Sequence, residues 1–424
     1  MKILLVNTSG KTGGAAIAAS RLATTLQNHG VYAKMLVADN DPNQNPSVVS
    51  LSGALAHKWN FLVERLGIFI RQNFKKTHLF DIDPATHGTD ITKLPEFKEA
   101  DIIHLHWVNQ GFLSLKDIRN ILRSGKPVVW TMHDMWTFTG ICHYVRECGN
   151  YKQQCGNCPL LAHKGPNDFS HKIWLRKQKI WSKFPKLTFV ACSKWLADTA
   201  VESPLVKGHQ VLDIVNPIDC ELYAPRPKSE ARKQLSLPNG KTLILFCAYN
   251  VNLPIKGLKY LKEALRLLTN EDPSLKEQFG VILTGKGSET AGTDFPVETF
   301  PMGFVSDEHR KALIYNASDM FVIPSLQDNL PNTIVEAKAS GLPVIGTKVG
   351  GIPQMINHLD DGLLVEPKNS ADLARAIKWL VKEADIKKIS AQSRANAQTQ
   401  YSESSVARKY IDLYESLLQD THKP

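Results

Sequence analysis

The fold class this sequence predicts is α/β, with two Rossmann-like parallel-sheet domains, and three observations carry the prediction. At 424 residues the chain exceeds the size at which one hydrophobic core usually stops growing. Short Val/Ile/Leu-rich runs alternate with longer mixed segments through the first half, the pattern of a parallel sheet covered by helices. After Asn216-Pro-Ile-Asp219 the composition turns to Pro, Lys and Ser, and the alternation restarts beyond Pro238. Residues 1–215 and 216–400 are therefore the expected domains, with 401–424 as a closing segment.

The elements follow in order. Leu4–Val6, Lys34–Val37, Ile102–Ile103, Val128–Val129 and Thr188–Val190 are the expected strands of the first domain. Leu243–Phe246, Val281–Leu283, Met320–Ile323, Val344–Ile345 and Leu363–Val365 are those of the second. Near the end Val406, Tyr410, Leu413, Tyr414 and Leu417 recur at helical spacing. The chain opens directly on a strand core with no apolar signal-like region, and no unbroken apolar run reaches membrane-spanning length, so the cytosol is the expected compartment. Fifty-one Lys and Arg against 41 Asp and Glu give a net +10, which favours anionic partners. No recognition helix, zinc-finger spacing or basic tail points to nucleic acid.

The richest stretch runs from Pro324 to Thr347. Strand-like Phe321-Val-Ile leads into a loop bearing Asp328. Pro331 suits the first turn of a helix, Glu336 lies inside that helix, and Gly341-Leu-Pro343 stops it. Free amides near Asn332 and Thr333 suit a phosphate, while the two carboxylates suit hydroxyls. Upstream, Gly10-Lys-Thr-Gly13-Gly14 follows the first strand but lacks the P-loop and dinucleotide spacings. His133 and Asp134 follow Val128-Val-Trp130, at the carboxyl end of a strand, where open parallel sheets bind ligands; His104 and His106 are weaker candidates of the same kind.

These motifs resemble the E-x7-E retaining glycosyltransferases of the two-domain GT-B architecture, in the large family numbered four. The resemblance covers almost the whole chain, is most specific between residues 240 and 367, and narrows to a subgroup at residues 131–158. It implies two domains facing across a cleft: an acceptor-binding N-terminal one, a nucleotide-sugar-binding C-terminal one, and a last helix packing back on the first. It also implies that Asp328 contacts the transferred sugar, Glu336 the nucleotide ribose, Lys256 the leaving diphosphate and His133 the reaction centre. Gly13 and Gly14 would lie between acceptor and diphosphate, and Asp134 would orient the imidazole or bind the acceptor. Thr284-Gly285-Lys-Gly287 resembles a turn near the nucleotide, and Gly303-Phe304-Val305 a segment bordering the base. Three positions depart from the pattern. Asp328 replaces the usual Glu, Asn250 stands where an arginine is customary, and Gln354 replaces the last Glu of G-G-x-x-E.

The implied function is retaining transfer of a sugar from a nucleoside-diphosphate sugar to a saccharide or polyprenyl-linked acceptor in surface-polysaccharide assembly, without a catalytic metal. Asp39-Asn-Asp41 and Asp81-Ile-Asp83 match the permissive D-x-D pattern by chance. A nucleotide-sugar hydrolase or epimerase, or a noncatalytic nucleotide-sugar binder, would use the same residues differently. Cys142, Cys148, Cys155 and Cys158 fall within 17 residues, and Cys155-Gly-Asn-Cys158 has knuckle spacing. They read either as a structural zinc set or as reduced, redox-labile thiols. Two segments, 59–76 and 171–186, mix aromatic and aliphatic residues with lysines and arginines. Each suits peripheral attachment to an anionic membrane face, or a helix packing its apolar side on the sheet.

Overall fold

The computed structural model describes residues 1–10, 12–39, 47–51 and 54–421. The chain forms two compact units, one of residues 1–215 and 407–424, the other of residues 216–406. The first contains strands β1 (Lys2–Ser9), β2 (Tyr32–Asp39), β3 (Val48–Ser50), β4 (Ile102–Leu105), β5 (Val128–Met132), β6 (Leu187–Ala191) and β7 (Val211–Asp213). Among the described residues they make one sheet in the order β3-β2-β1-β4-β5-β6-β7, and every pairing is parallel. The second unit contains β8 (Thr242–Asn250), β9 (Phe279–Lys286), β10 (Glu298–Pro301), β11 (Met320–Ile323), β12 (Val344–Thr347) and β13 (Gly362–Val365). Their order is β10-β9-β8-β11-β12-β13, again parallel throughout.

The apolar runs became strands, all but β13 inside their sheets, because helices cover both faces of each sheet. All five residues of β5 and all four of β11 are buried, so a continuous run is required where an alternating one would leave polar groups in the core. β3, β7 and β10 lie at sheet edges and have no such run. Their sequences, Val-Val-Ser, Val-Leu-Asp and Glu-Thr-Phe-Pro, are partly exposed, and nothing in them announces a strand.

Two helices matter below, α1 (Gly14–Asn28) and α2 (Ala54–Arg71). The last helix, Glu403–Thr421, carries the chain back into the first unit. There it buries Tyr410 and Tyr414. The Tyr414 hydroxyl lies 2.7 Å from His104 Nδ1, and the Tyr410 hydroxyl lies 3.1 Å from Thr131 Oγ1. Among the described residues no helix is long and apolar enough to cross a membrane.

Candidate functional site

Strand order decides where each unit can hold a ligand. The order reverses between β1 and β4 in the first sheet and between β8 and β11 in the second. Loops leaving the carboxyl ends of such neighbours turn to opposite faces and leave a crevice. Gly13, Gly14 and His106 follow β1 and β4, His133 follows β5, and Lys256 and Asp328 follow β8 and β11.

In the second unit the loop backbones set this geometry. Gly257 has φ +73, and a Cβ there would stand 1.9 Å from the Pro324 carbonyl oxygen; at Gly350, φ +54, it would stand 1.8 Å from that of Asp328. Only glycine permits both approaches. Leu326 N–H also donates to the Ile255 carbonyl at 2.7 Å and Gly351 N–H to Asp328 O at 3.2 Å. The result brings Lys256 Nζ to 2.7 Å from Asp328 Oδ2, with Ser325 Oγ at 3.3 Å from the same oxygen. The two residues assigned to sugar and diphosphate are thus an ion pair, only partly exposed at 27% and 12% of their side chains.

Glu336 sits in the helix Asn332–Ala339 and is 3% exposed. Tyr315 donates its hydroxyl to Glu336 Oε2 at 2.8 Å. Burial, together with the Glu336 charge, holds the Tyr315 phenol well above its ordinary range, so it remains a donor. Pro331 occupies the cap, one residue before the position expected, and provides no side-chain acceptor for the first amides. Asn332 is held through Oδ1 by Asn216 Nδ2 at 3.0 Å, and Thr333 is half-buried beside it. Asn250 uses Oδ1 to accept the Asn252 amide at 2.9 Å, turning the chain out of β8. Its backbone pairs with Lys286 at the end of β9. The Lys286 ammonium lies 2.6 Å from the Tyr249 hydroxyl and 5.6 Å from the centre of the Phe304 ring, so a cation does stand at these strand ends. Gly285 N–H donates to Gly303 O at 2.8 Å, joining the two segments expected near the nucleotide.

The first unit assembles a column of histidines. His106 Nδ1 lies 3.0 Å from His133 Nε2, and His104 Nε2 lies 2.7 Å from Thr131 Oγ1. Cys192 Sγ approaches His133 Nδ1 at 3.4 Å. Burial pushes the His133 pKa down to about 4 and that of His104 to about 3. It also holds His106 well below its ordinary value. The three rings are therefore neutral at physiological pH. Asp134 is engaged elsewhere: His143 Nδ1 lies 2.7 Å from Oδ2, Trp107 Nε1 donates to Oδ2 at 2.9 Å, and the Trp136 amide donates to Oδ1 at 2.8 Å. Burial would raise the Asp134 pKa, but these partners bring it below the ordinary carboxylate value. The imidazole that Asp134 holds is thus that of His143. A Cβ at Gly13 or Gly14 would meet nothing within 4 Å, which leaves the start of α1 open for close approach. Lys11 of the same loop, and Asn40 and Asp41 of the first D-x-D match, lie outside the described residues.

Other expectations change. Among the described residues, Cys142, Cys148, Cys155 and Cys158 included, no three His, Cys, Asp or Glu side chains are grouped to hold a metal ion. All four are free thiols. Cys142, Cys155 and Cys158 are packed into the core, and burial pushes Cys155 up to about 12. Cys155 Sγ instead accepts the Gly140 amide at 3.1 Å. In the helix Phe169–Trp181, Ile173, Trp174 and Trp181 face the core. Lys177 is buried with them, and its ammonium donates to the Trp136 and Thr139 carbonyls at 2.5 and 3.1 Å. That segment's apolar side is structural. Tyr315, Ser325, Trp107, His143, Cys192 and Lys286 were not legible as site residues, since none carries a local spacing signal.

Both halves match models of known families: residues 12–222 that of "Glycosyltransferase Family 4" and residues 241–383 that of "Glycosyl transferases group 1". Among relatives, the "Putative colanic acid biosynthesis glycosyl transferase WcaC" of Escherichia coli K12 is 25% identical over 74% of this chain and 76% of its own. A D-inositol 3-phosphate glycosyltransferase of Nocardia farcinica is 26% identical over 98% of this chain and 87% of its own. The match to the enzyme of that name from Geodermatophilus obscurus, 28% identical, spans 48% of each chain. In solved structures the fold recurs in sucrose-phosphate synthase from Thermosynechococcus elongatus, with TM-score 0.67, 18% identity and 99% of each chain covered. It recurs also in Anabaena HepE, solved with UDP and glucose, with TM-score 0.62, 18% identity and 98% and 100% covered. The fold is GT-B, and the chain belongs to the family 4, group 1 glycosyltransferases.

Proposed function

We propose that the protein is a retaining glycosyltransferase that moves a sugar from a nucleoside-diphosphate sugar to a hydroxyl of a saccharide or polyprenyl-linked saccharide in surface-polysaccharide synthesis. The observation that carries this reading is the Lys256–Asp328 pair at the switch point of the second sheet, with Glu336 buried in the helix that follows. HepE, solved with UDP-glucose, and WcaC, named for colanic acid synthesis, support the donor class and the pathway class respectively.

In this reading the bond from the anomeric carbon to the diphosphate breaks as the acceptor oxygen bonds on the same face. The acceptor proton passes to a leaving phosphate oxygen, so no protein base is required. Lys256 and the first amides of the helix Asn332–Ala339 stabilise the departing charge. Lys286 supplies a second cation that the neutral Asn250 cannot. Asp328 orients the sugar and Glu336 accepts from the ribose hydroxyls. Gly13 and Gly14 let the acceptor approach, and His133 donates to the sugar or positions the acceptor. No catalytic metal takes part. A polyprenyl-linked acceptor places the enzyme at the cytoplasmic face of an anionic membrane.

Calorimetry against UDP-, GDP- and ADP-sugars, followed by NMR of the product's anomeric configuration, tests the reading. We expect one donor class to bind and an α-donor to yield an α-glycoside. Binding by none of the donors overturns it, as does release of free or rearranged sugar whatever acceptor is offered.

A further inference from the structure

α2 buries charged groups and exposes apolar ones. Its inward face carries Ile68, 1% exposed, together with Glu64 and Arg65 at 1% and 6%, and Gln72 just past its end is 4% exposed. Arg65 pairs with Asp83 Oδ2 at 2.7 Å, and Gln72 Nε2 donates to the Leu160 carbonyl at 2.5 Å. Its outward face presents Leu55, Trp59, Leu62, Leu66 and Ile70, and just beyond its end Phe74. These side chains are 81, 68, 59, 55, 49 and 69% exposed. Spacings of three and four align Leu55, Trp59, Leu62, Leu66 and Ile70 in one stripe along the helix. Asn73 and Phe74 both adopt left-handed backbone, φ +54 and +59, and Phe74 is left pointing outward. An apolar ridge of this length facing water is not what a self-contained domain leaves uncovered.

The charges around the ridge say what covers it. Lys58, Arg71, Lys75 and Lys76 are exposed along the same segment, and the only carboxylate between residues 55 and 76 is the buried Glu64. The Arg71 guanidinium lies 4.3 Å from the centre of the Phe169 ring, which opens the next basic helix. The outward residues of that helix, Lys172, Arg176 and Lys179, are exposed as well. A protein partner with an apolar groove would satisfy the stripe alone. Stripe and cations together fit acyl chains beneath anionic headgroups, with Trp59 at their boundary.

We propose that α2 is the surface by which this protein lies on an anionic lipid bilayer, the ridge from Leu55 to Phe74 entering the headgroup region and the flanking cations meeting the phosphates. The proposal deepens the membrane-side reading above, but its test needs no transfer reaction. The full-length protein is sedimented with vesicles of phosphatidylcholine alone and with 30% phosphatidylglycerol, at low and high salt. The same is done for Leu62→Glu/Leu66→Glu and for Lys75→Glu/Lys76→Glu, all on exposed positions; circular dichroism and donor calorimetry report folding and the donor site separately. Wild type is expected to bind anionic vesicles at least tenfold more tightly than neutral ones, and less tightly in high salt. Each double variant is expected to bind at least tenfold more weakly while keeping its circular dichroism and whatever donor affinity the wild type has. Failure of wild type to bind anionic vesicles at low salt overturns the proposal, as does undiminished binding by the Leu62→Glu/Leu66→Glu protein. A wild-type dimer in ultracentrifugation that this variant converts to monomer, without vesicle binding, overturns it in favour of a second copy on the ridge.

Discussion

The Lys256–Asp328 pair can be measured before any substrate is known. At 2.7 Å two unit charges attract by about 1.5 kcal/mol in water and about 6 kcal/mol at an effective dielectric of about 20. The desolvation of both groups opposes this, and the 27% exposure of the lysine side chain screens it. The coupling that survives is expected to be about 1–2 kcal/mol. Lys256→Met, Asp328→Asn and the double variant form a cycle with wild type, read by urea unfolding followed through circular dichroism. Neither substitution alters backbone at Gly257 or Gly350, so the loops that bring the pair together are retained. A coupling within about 0.3 kcal/mol of zero would show that the pair is not formed in solution and would remove the geometry on which the donor site rests. Under the proposed reaction the same lysine stabilises the departing diphosphate. Lys256→Met should then lose about 100- to 1,000-fold in turnover, the scale of deleting one donor to a developing oxyanion; unchanged turnover would refute that role.

Glu336→Gln should weaken donor binding about 10- to 100-fold by calorimetry, because a ribose hydroxyl loses its charged acceptor. Tyr315→Phe should cost less, since it removes only the 2.8 Å donor that holds the carboxylate; equal donor affinity in both would refute the ribose role. His133→Ala should lower transfer more than donor affinity, and unaltered transfer would remove His133 from the site. The folded pKa values of His104 and His133 lie below the ordinary imidazole value, so their contribution to stability is complete above about pH 6.5. It is lost as pH falls toward about 3 for His104 and about 4 for His133, at up to about 1.4 kcal/mol per pH unit per ring. Urea unfolding at pH 7, 6 and 5 checks this, and a flat profile would show that the rings already carry charge. Transfer should persist in excess chelator with circular dichroism unchanged, and activity that returns only on adding a divalent ion would contradict the proposed metal-free reaction.

Much of the fold was legible because burial on both faces of a parallel sheet demands continuous apolar runs, and all ten of those singled out in the sequence became strands, nine of them inner and one, β13, at a sheet edge but still largely buried. The other three edge strands, β3, β7 and β10, escaped because they are partly exposed and so freed from that demand. The motif positions were legible too, since Gly257 and Gly350 mark places where one backbone must pass against another, and Pro331 marks a helix start. The partners of those residues were not. Tyr315 reaches Glu336 from 21 residues away, Asp328 meets Lys256 across 72, and Tyr414 meets His104 across 310. The same distinction separates the two basic, apolar segments, whose sequences read alike. In one, Trp174 and Trp181 turn inward and bury Lys177; in the other, Arg65 finds Asp83 inside beside Ile68, and Leu55, Trp59, Leu62, Leu66 and Ile70 are left to water. Periodicity, apolar runs and backbone freedom are properties of a few consecutive residues, and the sequence alone determined them. Which face turns inward, and which charge meets which, depends on the partner that the rest of the chain delivers to each position, and only the tertiary structure decided that.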